Sequence, residues 1–276
     1  MTEPCILEID RLTVSYPAVT ALNGLSLCVR PGEIHAVLGE RGAGKTTLTK
    51  ALGGVGLKQP YQGRVIVAGQ PIEIRSPRDA IRSGIGVIPR RLAVFEQLSV
   101  AENIAVGNRQ NEGKLFVNRP QTRRRAGEIL RELNLSLDLS MKAGQLSAAQ
   151  KRLLTIARAF STRPRVLVLD EPATTVSSPA EMSQLIRVLR WVAGQGIASL
   201  YLTTRVAEVL LVADRATALR DGGVVGDFDR VELDEALLAR LIISQRPGGA
   251  RDFDEDERED QGGLVGTLMS YFSRRR

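Results

Sequence analysis

The chain is short of cysteine, of histidine and of long apolar runs. Its two cysteines, Cys5 and Cys28, are too few for a disulfide framework. A reducing cytoplasm is the simple expectation, with both thiols packed in strands as small apolar groups. The one histidine, His35, falls inside an apolar strand segment and reads as core, not catalytic. No stretch approaches the roughly 20 apolar residues of a membrane span. The start, Met1-Thr2-Glu3-Pro4, lacks the basic and then apolar opening of a secretory leader. No internal repeat and no sustained heptad pattern is visible.

What is present is an ordinary globular composition. The 276 residues are 43% hydrophobic and 25% charged, enough for one large α/β domain or a domain with an added lobe. The net charge is +7 and the pI about 9.8. That balance fits contact with nucleic acid or an anionic membrane face, or simply an arginine-rich surface. No aromatic-and-basic strand motif accompanies the charge, so the surface reading leads and no nucleic-acid partner is expected.

The most specific stretch is Gly39-Glu40-Arg41-Gly42-Ala43-Gly44-Lys45-Thr46, which fits G-x-x-x-x-G-K-[ST] at every fixed position. Ile34-His35-Ala36-Val37-Leu38 before it reads as a buried strand, and the residues from Thr47 onward as the first turns of a helix. Such glycines let the backbone aim several N–H groups at phosphate oxygens, and the helix adds its positive end. Lys45 is placed to reach the β- and γ-phosphates, and the Thr46 hydroxyl to bind Mg²⁺.

Around that loop, residues 6–35 alternate apolar and polar, the period of half-buried antiparallel strands. Tyr16 at a strand end has two readings of equal weight, a stacking face for an adenine ring or a half-buried aromatic. Residues 63–69 read as a strand between glycine turns, a helix follows Ser76-Pro77, and 85–89 form a short buried strand closed by proline. Ser99 and Glu102 make a capping box. Residues 111–118 are loop-like, and 119–135 carry Ala126, Ile129, Leu130 and Leu133 at helical spacing, a helical insert. Arg123-Arg124-Arg125 reads as its solvated face or a partner contact. Another helix opens across 145–151. Later, 182–192 is an amphipathic helix, 197–202 a core strand, 216–225 a hairpin about Asp221-Gly222, and 233–243 a closing helix.

Val166-Leu167-Val168-Leu169 runs straight into Asp170-Glu171-Pro172. Four apolar residues ending in two acids is the pattern of a parallel core strand with carboxylates at its tip, where open α/β sheets bind ligands. Asp170 is expected to hold the Mg²⁺ shared with Thr46, and Glu171 to orient and deprotonate an attacking water. The bland reading is a solvated acidic turn. From Arg246 the composition shifts to a Pro-Gly-Gly linker, an acid-rich run over 252–260 and a weakly amphipathic end, 264–272, before Arg274-Arg275-Arg276. A disordered tail is the expectation, a membrane or partner contact the alternative.

Taken in order, these motifs resemble the nucleotide-binding ATPase subunits of ABC transporters, most of all the sugar-importer branch. The telling phrases are Pro31-Gly32-Glu33-Ile34-His35-Ala36-Val37-Leu38-Gly39-Glu40, Leu98-Ser99-Val100-Ala101-Glu102-Asn103-Ile104 and Asp214-Arg215-Ala216-Thr217-Ala218-Leu219-Arg220-Asp221-Gly222. The resemblance covers residues 6–244, one domain where that branch usually joins two. It implies an α/β P-loop NTPase fold: a mixed, largely parallel core sheet flanked by helices, an antiparallel β subdomain and a helical insert. Residues 1–245 would form the nucleotide-binding domain, with the helical subdomain near 90–160, and 246–276 the tail.

The same resemblance implies binding of ATP and Mg²⁺ by Tyr16, residues 39–47, Thr46 and Asp170, with Lys45 and Glu171 in catalysis. It implies a head-to-tail pair of cassettes in which Leu146-Ser147-Ala148-Ala149-Gln150, the signature segment, faces the partner's nucleotide. Transmembrane permease subunits and an external solute-binding protein would complete a transporter, placing the chain at the cytoplasmic membrane face. Four positions depart from the family pattern. Glycines are replaced by Ala148 and Ala149, a glutamine by Arg90 and a histidine by Thr204. Arginine has no acceptor, so Arg90 cannot ligate a metal, but it has the donors to bind phosphate. Thr204 cannot carry an imidazolium's charge. Nucleotide binding is therefore expected intact, and hydrolysis either present or left to a partner in an asymmetric pair. A DNA-associated ATPase is disfavoured by the missing coiled coil.

Overall fold

The computed structural model describes residues 4–57, 61–107 and 119–242. The opening alternation forms an antiparallel pair, β1 (Leu7–Tyr16) and β2 (Val19–Val29), with Leu7, Ile9, Leu12, Leu25 and Val29 turned inward. β3 (Ile34–Leu38) is buried throughout and leads into α1 (Lys45–Gly53). β4 (Gln62–Val67) pairs with the other side of β1. Ala68 and Gly69, both at positive φ, then reverse the chain into β5 (Gln70–Ile72). The sequence reading carried that strand on to Gly69 and missed β5; two successive left-handed residues make a hairpin turn instead.

Ser76 caps α2 (Pro77–Arg82), and β6 (Ile85–Ile88) follows. α3 (Val100–Val106) carries the Ser99–Glu102 capping box. α4 (Arg119–Glu132) buries Ala126, Ile129 and Leu130, and α5 (Ala148–Phe160) packs with both. The chain then alternates β7 (Val166–Asp170), α6 (Pro179–Gly194), β8 (Ala198–Thr203), α7 (Val206–Val212) and β9 (Arg215–Arg220). β10 (Gly223–Asp229) returns through the Asp221-Gly222 turn, and α8 (Glu235–Ile242) closes the described chain. The short α7 was not read from sequence: Val206-Ala207-Glu208-Val209-Leu210-Leu211-Val212 is too continuously apolar to show a helical period.

Two sheets result, β2-β1-β4-β5 and β10-β9-β3-β8-β7-β6. In the larger one all neighbours are parallel except the edge strand β10. Its central strands are apolar on both faces because each face meets a core. Val37, Val166, Val168, Leu200 and Leu202 pack towards α1 and the antiparallel sheet. Ala36, Leu38, Leu167, Leu169 and Tyr201 pack towards α5, α6, α7 and α8.

Cys5 and Cys28 form a disulfide, their Cα atoms 5.5 Å apart where the chain entering β1 runs beside the end of β2. This corrects the packed-thiol expectation. Composition counts cysteines, but only strand register brings two within bridging distance. The ground for inferring a reducing compartment goes with it. Among the described residues no helix is long and apolar enough to cross a membrane. The loop 111–118, Ile243 of the expected closing helix, and the whole tail 246–276 lie outside the described residues.

Candidate functional site

The phosphate-loop motif occupies the turn between β3 and α1. Gly42 and Gly44 sit at φ 80° and 107°, with Gly44 as the N-cap, so α1 starts at Lys45, earlier than the sequence reading placed it. A Cβ on Gly44 would stand 2.6 Å from the carbonyl oxygen of Ala21 and 2.7 Å from a Leu22 methyl. Only glycine satisfies that backbone and that packing together. The first N–H groups of α1 lack intrahelical partners and point into the loop, a ready anion seat. Glu40, Arg41, Gly42 and Thr46 are exposed, Thr47 is half-buried, and Gly39 and Ala43 are buried. The Lys45 ammonium donates to the carbonyls of Gly39 (2.7 Å) and Glu40 (2.9 Å), which fixes it across the loop. Burial lowers its pKa to about 8, against the pull of Glu171 and Asp170.

The acids reach the same place through β8, which lies between β3 and β7. Gly39 N–H donates to the carbonyl of Thr203 at 3.2 Å, and Glu171 N–H to that of Leu202 at 2.9 Å. One strand tip thus ties the phosphate loop on one side to the carboxylates on the other. Burial pushes the Asp170 carboxyl up to about 6; Glu171 adds to this, while Lys45 and Arg90 oppose it. Its Oδ1 is buried and has no hydrogen-bond partner. A buried carboxylate oxygen left free and the exposed Thr46 hydroxyl are oxygen donors of the kind Mg²⁺ takes beside phosphate, so the residues fit that ion. Glu171 holds a left-handed conformation, φ 42°, kept by its N–H bond and by the Thr174 hydroxyl on its carbonyl at 2.9 Å. Such strain costs about 1–3 kcal/mol and persists only where the surroundings impose it.

The two altered switch positions lie at the tips of the strands on either side of β7. Thr204 follows β8 and is half-buried. Arg90 follows Pro89 at the end of β6, and its Nε lies 3.3 Å from Glu171 Oε2. Lys45, Arg90, Asp170 and Glu171 therefore form one cluster of two cations and two carboxylates. The signature residues are displayed on another element. Leu146 and Ala149 are buried, while Ser147, Ala148 and Gln150 are exposed at the start of α5. Ser147 and Gln150 cap each other: the Gln150 N–H donates to the Ser147 hydroxyl (3.2 Å), and the Ser147 N–H to the Gln150 side chain (2.9 Å). Tyr16 packs half-buried against the core under the antiparallel sheet.

Two supporting groups escaped the sequence reading. Arg152 is buried on α5 and donates to the carbonyls of Pro89 and Arg90, both at 2.6 Å. An arginine on the buried stripe of that helix, four residues before Ile156, was the available signal. Buried Glu208 accepts from the Tyr201 hydroxyl (2.9 Å) and the Thr203 hydroxyl (2.8 Å), bracing the tip of β8. His35 is enclosed in the core between Glu33 and Thr217, as the sequence suggested.

A family model described as ABC transporter matches residues 22–174, which hold the phosphate loop, the signature segment and both acids. The chain is 38% identical over 247 residues to ribose import ATP-binding protein RbsA 2 of Burkholderia pseudomallei (strain 1710b), covering 88% of this chain and 47% of that protein. Over 243 residues it is 35% identical to ribose import ATP-binding protein RbsA 3 of Rubrobacter xylanophilus, covering 88% and 48%. The chain thus spans about half the length of the curated relatives it matches. Among solved structures, a nucleotide-free ATP-binding cassette from an ABC transporter superposes with a TM-score of 0.72 at 24% identity, over 87% of this chain and 99% of that one. A dimeric bacterial ABC transporter cassette gives 0.69 at 21%, over 81% and 98%. The expected α/β P-loop architecture is the one observed, and the chain belongs to the ABC transporter family.

Proposed function

We propose that the chain is the ATP-binding subunit of an importer, binding ATP with Mg²⁺ and hydrolysing it to drive uptake of a solute of the sugar class. The observation that carries this is the tip of β8, which holds the phosphate loop and the Asp170–Glu171 pair side by side. Loop amides and Lys45 bind the phosphates, and Asp170 with Thr46 would hold the metal. Bound Mg²⁺ supplies neutralising charge at the phosphate oxygens. Glu171, fixed by its backbone, orients the attacking water and accepts its proton. Tyr16 offers a face to the base. The exposed start of α5 presents Ser147 to the nucleotide of a second cassette, with the exposed Ala148 keeping the backbone a methyl further away. Permease subunits and an external solute-binding protein complete the assembly at the cytoplasmic membrane face. Names of the matched relatives support the solute class.

Calorimetric titration with ATP·Mg tests binding, with Lys45→Ala as control, and phosphate release tests hydrolysis, with Glu171→Gln as control. Binding lost in the first variant and turnover lost in the second are expected. If wild type binds ATP yet releases phosphate no faster than Glu171→Gln, even with its partner cassette, the chain is the non-hydrolysing half of a pair. No ATP binding overturns the proposal.

A further inference from the structure

We propose that Arg90 is a second phosphate-binding cation of this site, one that exchanges the carboxylate of Glu171 for the terminal phosphate of the nucleotide. The inference rests on the ATP-binding reading above. Its first support is an exposed side chain on a held backbone. The Arg90 side chain is 34% exposed, whereas that of Glu171 is 11% exposed. The Arg90 carbonyl is gripped by Arg152, and the Glu171 backbone by Leu202 and Thr174. The guanidinium therefore has open space beside it, while both main chains are anchored.

The second support is chemistry. Guanidinium offers a planar fork of donors and no acceptor, which matches phosphate and cannot ligate a metal. The third is charge. Lys45 and Arg90 balance Asp170 and Glu171, so the cluster is neutral as it stands. With an uncharged residue at position 90 it would carry an excess negative charge and repel a polyphosphate until a metal arrived. Arginine removes that repulsion and adds a donor at the end of the chain of phosphates. Departure of Arg90 also uncovers the Glu171 carboxylate only when a terminal phosphate is present. It follows that this chain binds metal-free ATP, and that Arg90 adds to the preference for ATP over ADP.

Calorimetric titration of the full chain with ATP and with ADP in EDTA tests this on wild type, Arg90→Gln and Arg90→Lys. Arg90→Gln should weaken metal-free ATP binding about tenfold, the effect of one hydrogen bond to a charged group, and leave ADP nearly unchanged. Arg90→Lys should recover part of the loss. Equal ATP affinity in wild type and Arg90→Gln overturns the inference, and so does an equal loss for both nucleotides. Wild type that binds neither nucleotide, with or without Mg²⁺, overturns the ATP-binding reading itself. Thermal melts check folding. If Arg90→Gln does not fold, Glu171→Gln replaces it: removing the exchange partner should tighten metal-free ATP binding several-fold more than ADP binding, and uniform tightening counts against the exchange.

Discussion

The Nη1 of Arg152 donates to the carbonyl of Pro89 and its Nη2 to the carbonyl of Arg90, each at 2.6 Å, from a side chain that is fully buried. The helix that begins at the signature segment is thereby bonded to the end of β6, beside Glu171. Burial lowers the arginine's pKa only to about 10, so it stays charged at neutral pH. Arg152→Met keeps an unbranched stem but leaves two carbonyls without donors. We expect a loss of about 3 kcal/mol, read as a lower urea midpoint with an unchanged slope. A variant as stable as wild type would remove the proposed tie.

Gly44→Ala tests the shape of the phosphate loop. The added Cβ meets backbone at 2.6 Å, at a φ of 107° that alanine resists. The loop must open, so ATP affinity should fall at least tenfold, with a stability loss of about 1–3 kcal/mol. Titration calorimetry and thermal denaturation measure the two. Retained affinity would mean that the loop does not need this turn to bind phosphate.

Acid sensitivity is expected at Glu33, away from the nucleotide. Burial raises its carboxyl pKa, but the bond and charge of His35, the Arg30 N–H and the charge of Arg215 outweigh it, leaving the group below its ordinary 4.5. A carboxyl with a depressed folded pKa stabilises above its unfolded value and loses that contribution as pH falls through the folded one. Glu33→Gln should therefore cost about 2 kcal/mol at pH 7, with the gap to wild type closing below 4.5. Urea unfolding across that range decides; a constant gap assigns the effect to packing rather than charge.

The Cys5–Cys28 bridge closes a loop with a sequence separation of 23. In the chain-entropy picture such a loop stabilises by about 3 kcal/mol. Thiol labelling of the denatured, unreduced protein should find neither cysteine reactive, and the double serine variant should melt at lower temperature. Free labelling of both would show that the two sulfurs do not pair.

Much of this protein is determined locally. The phosphate loop, the acid-tipped strand, the capping box at Ser99 and the Asp-Gly hairpin are short patterns whose physics lies within a few neighbouring residues, and each is legible without a fold. Position 90 could be read as an arginine where the family has glutamine, but not as a partner of Glu171. That pairing, the grip of Arg152 on the same turn and the tie of β8 to both halves of the site join residues from 31 to 164 positions apart. Sequence separation carries no distance information at that range. Strand order and register set it, and the same register turned two cysteines expected to be thiols into a disulfide.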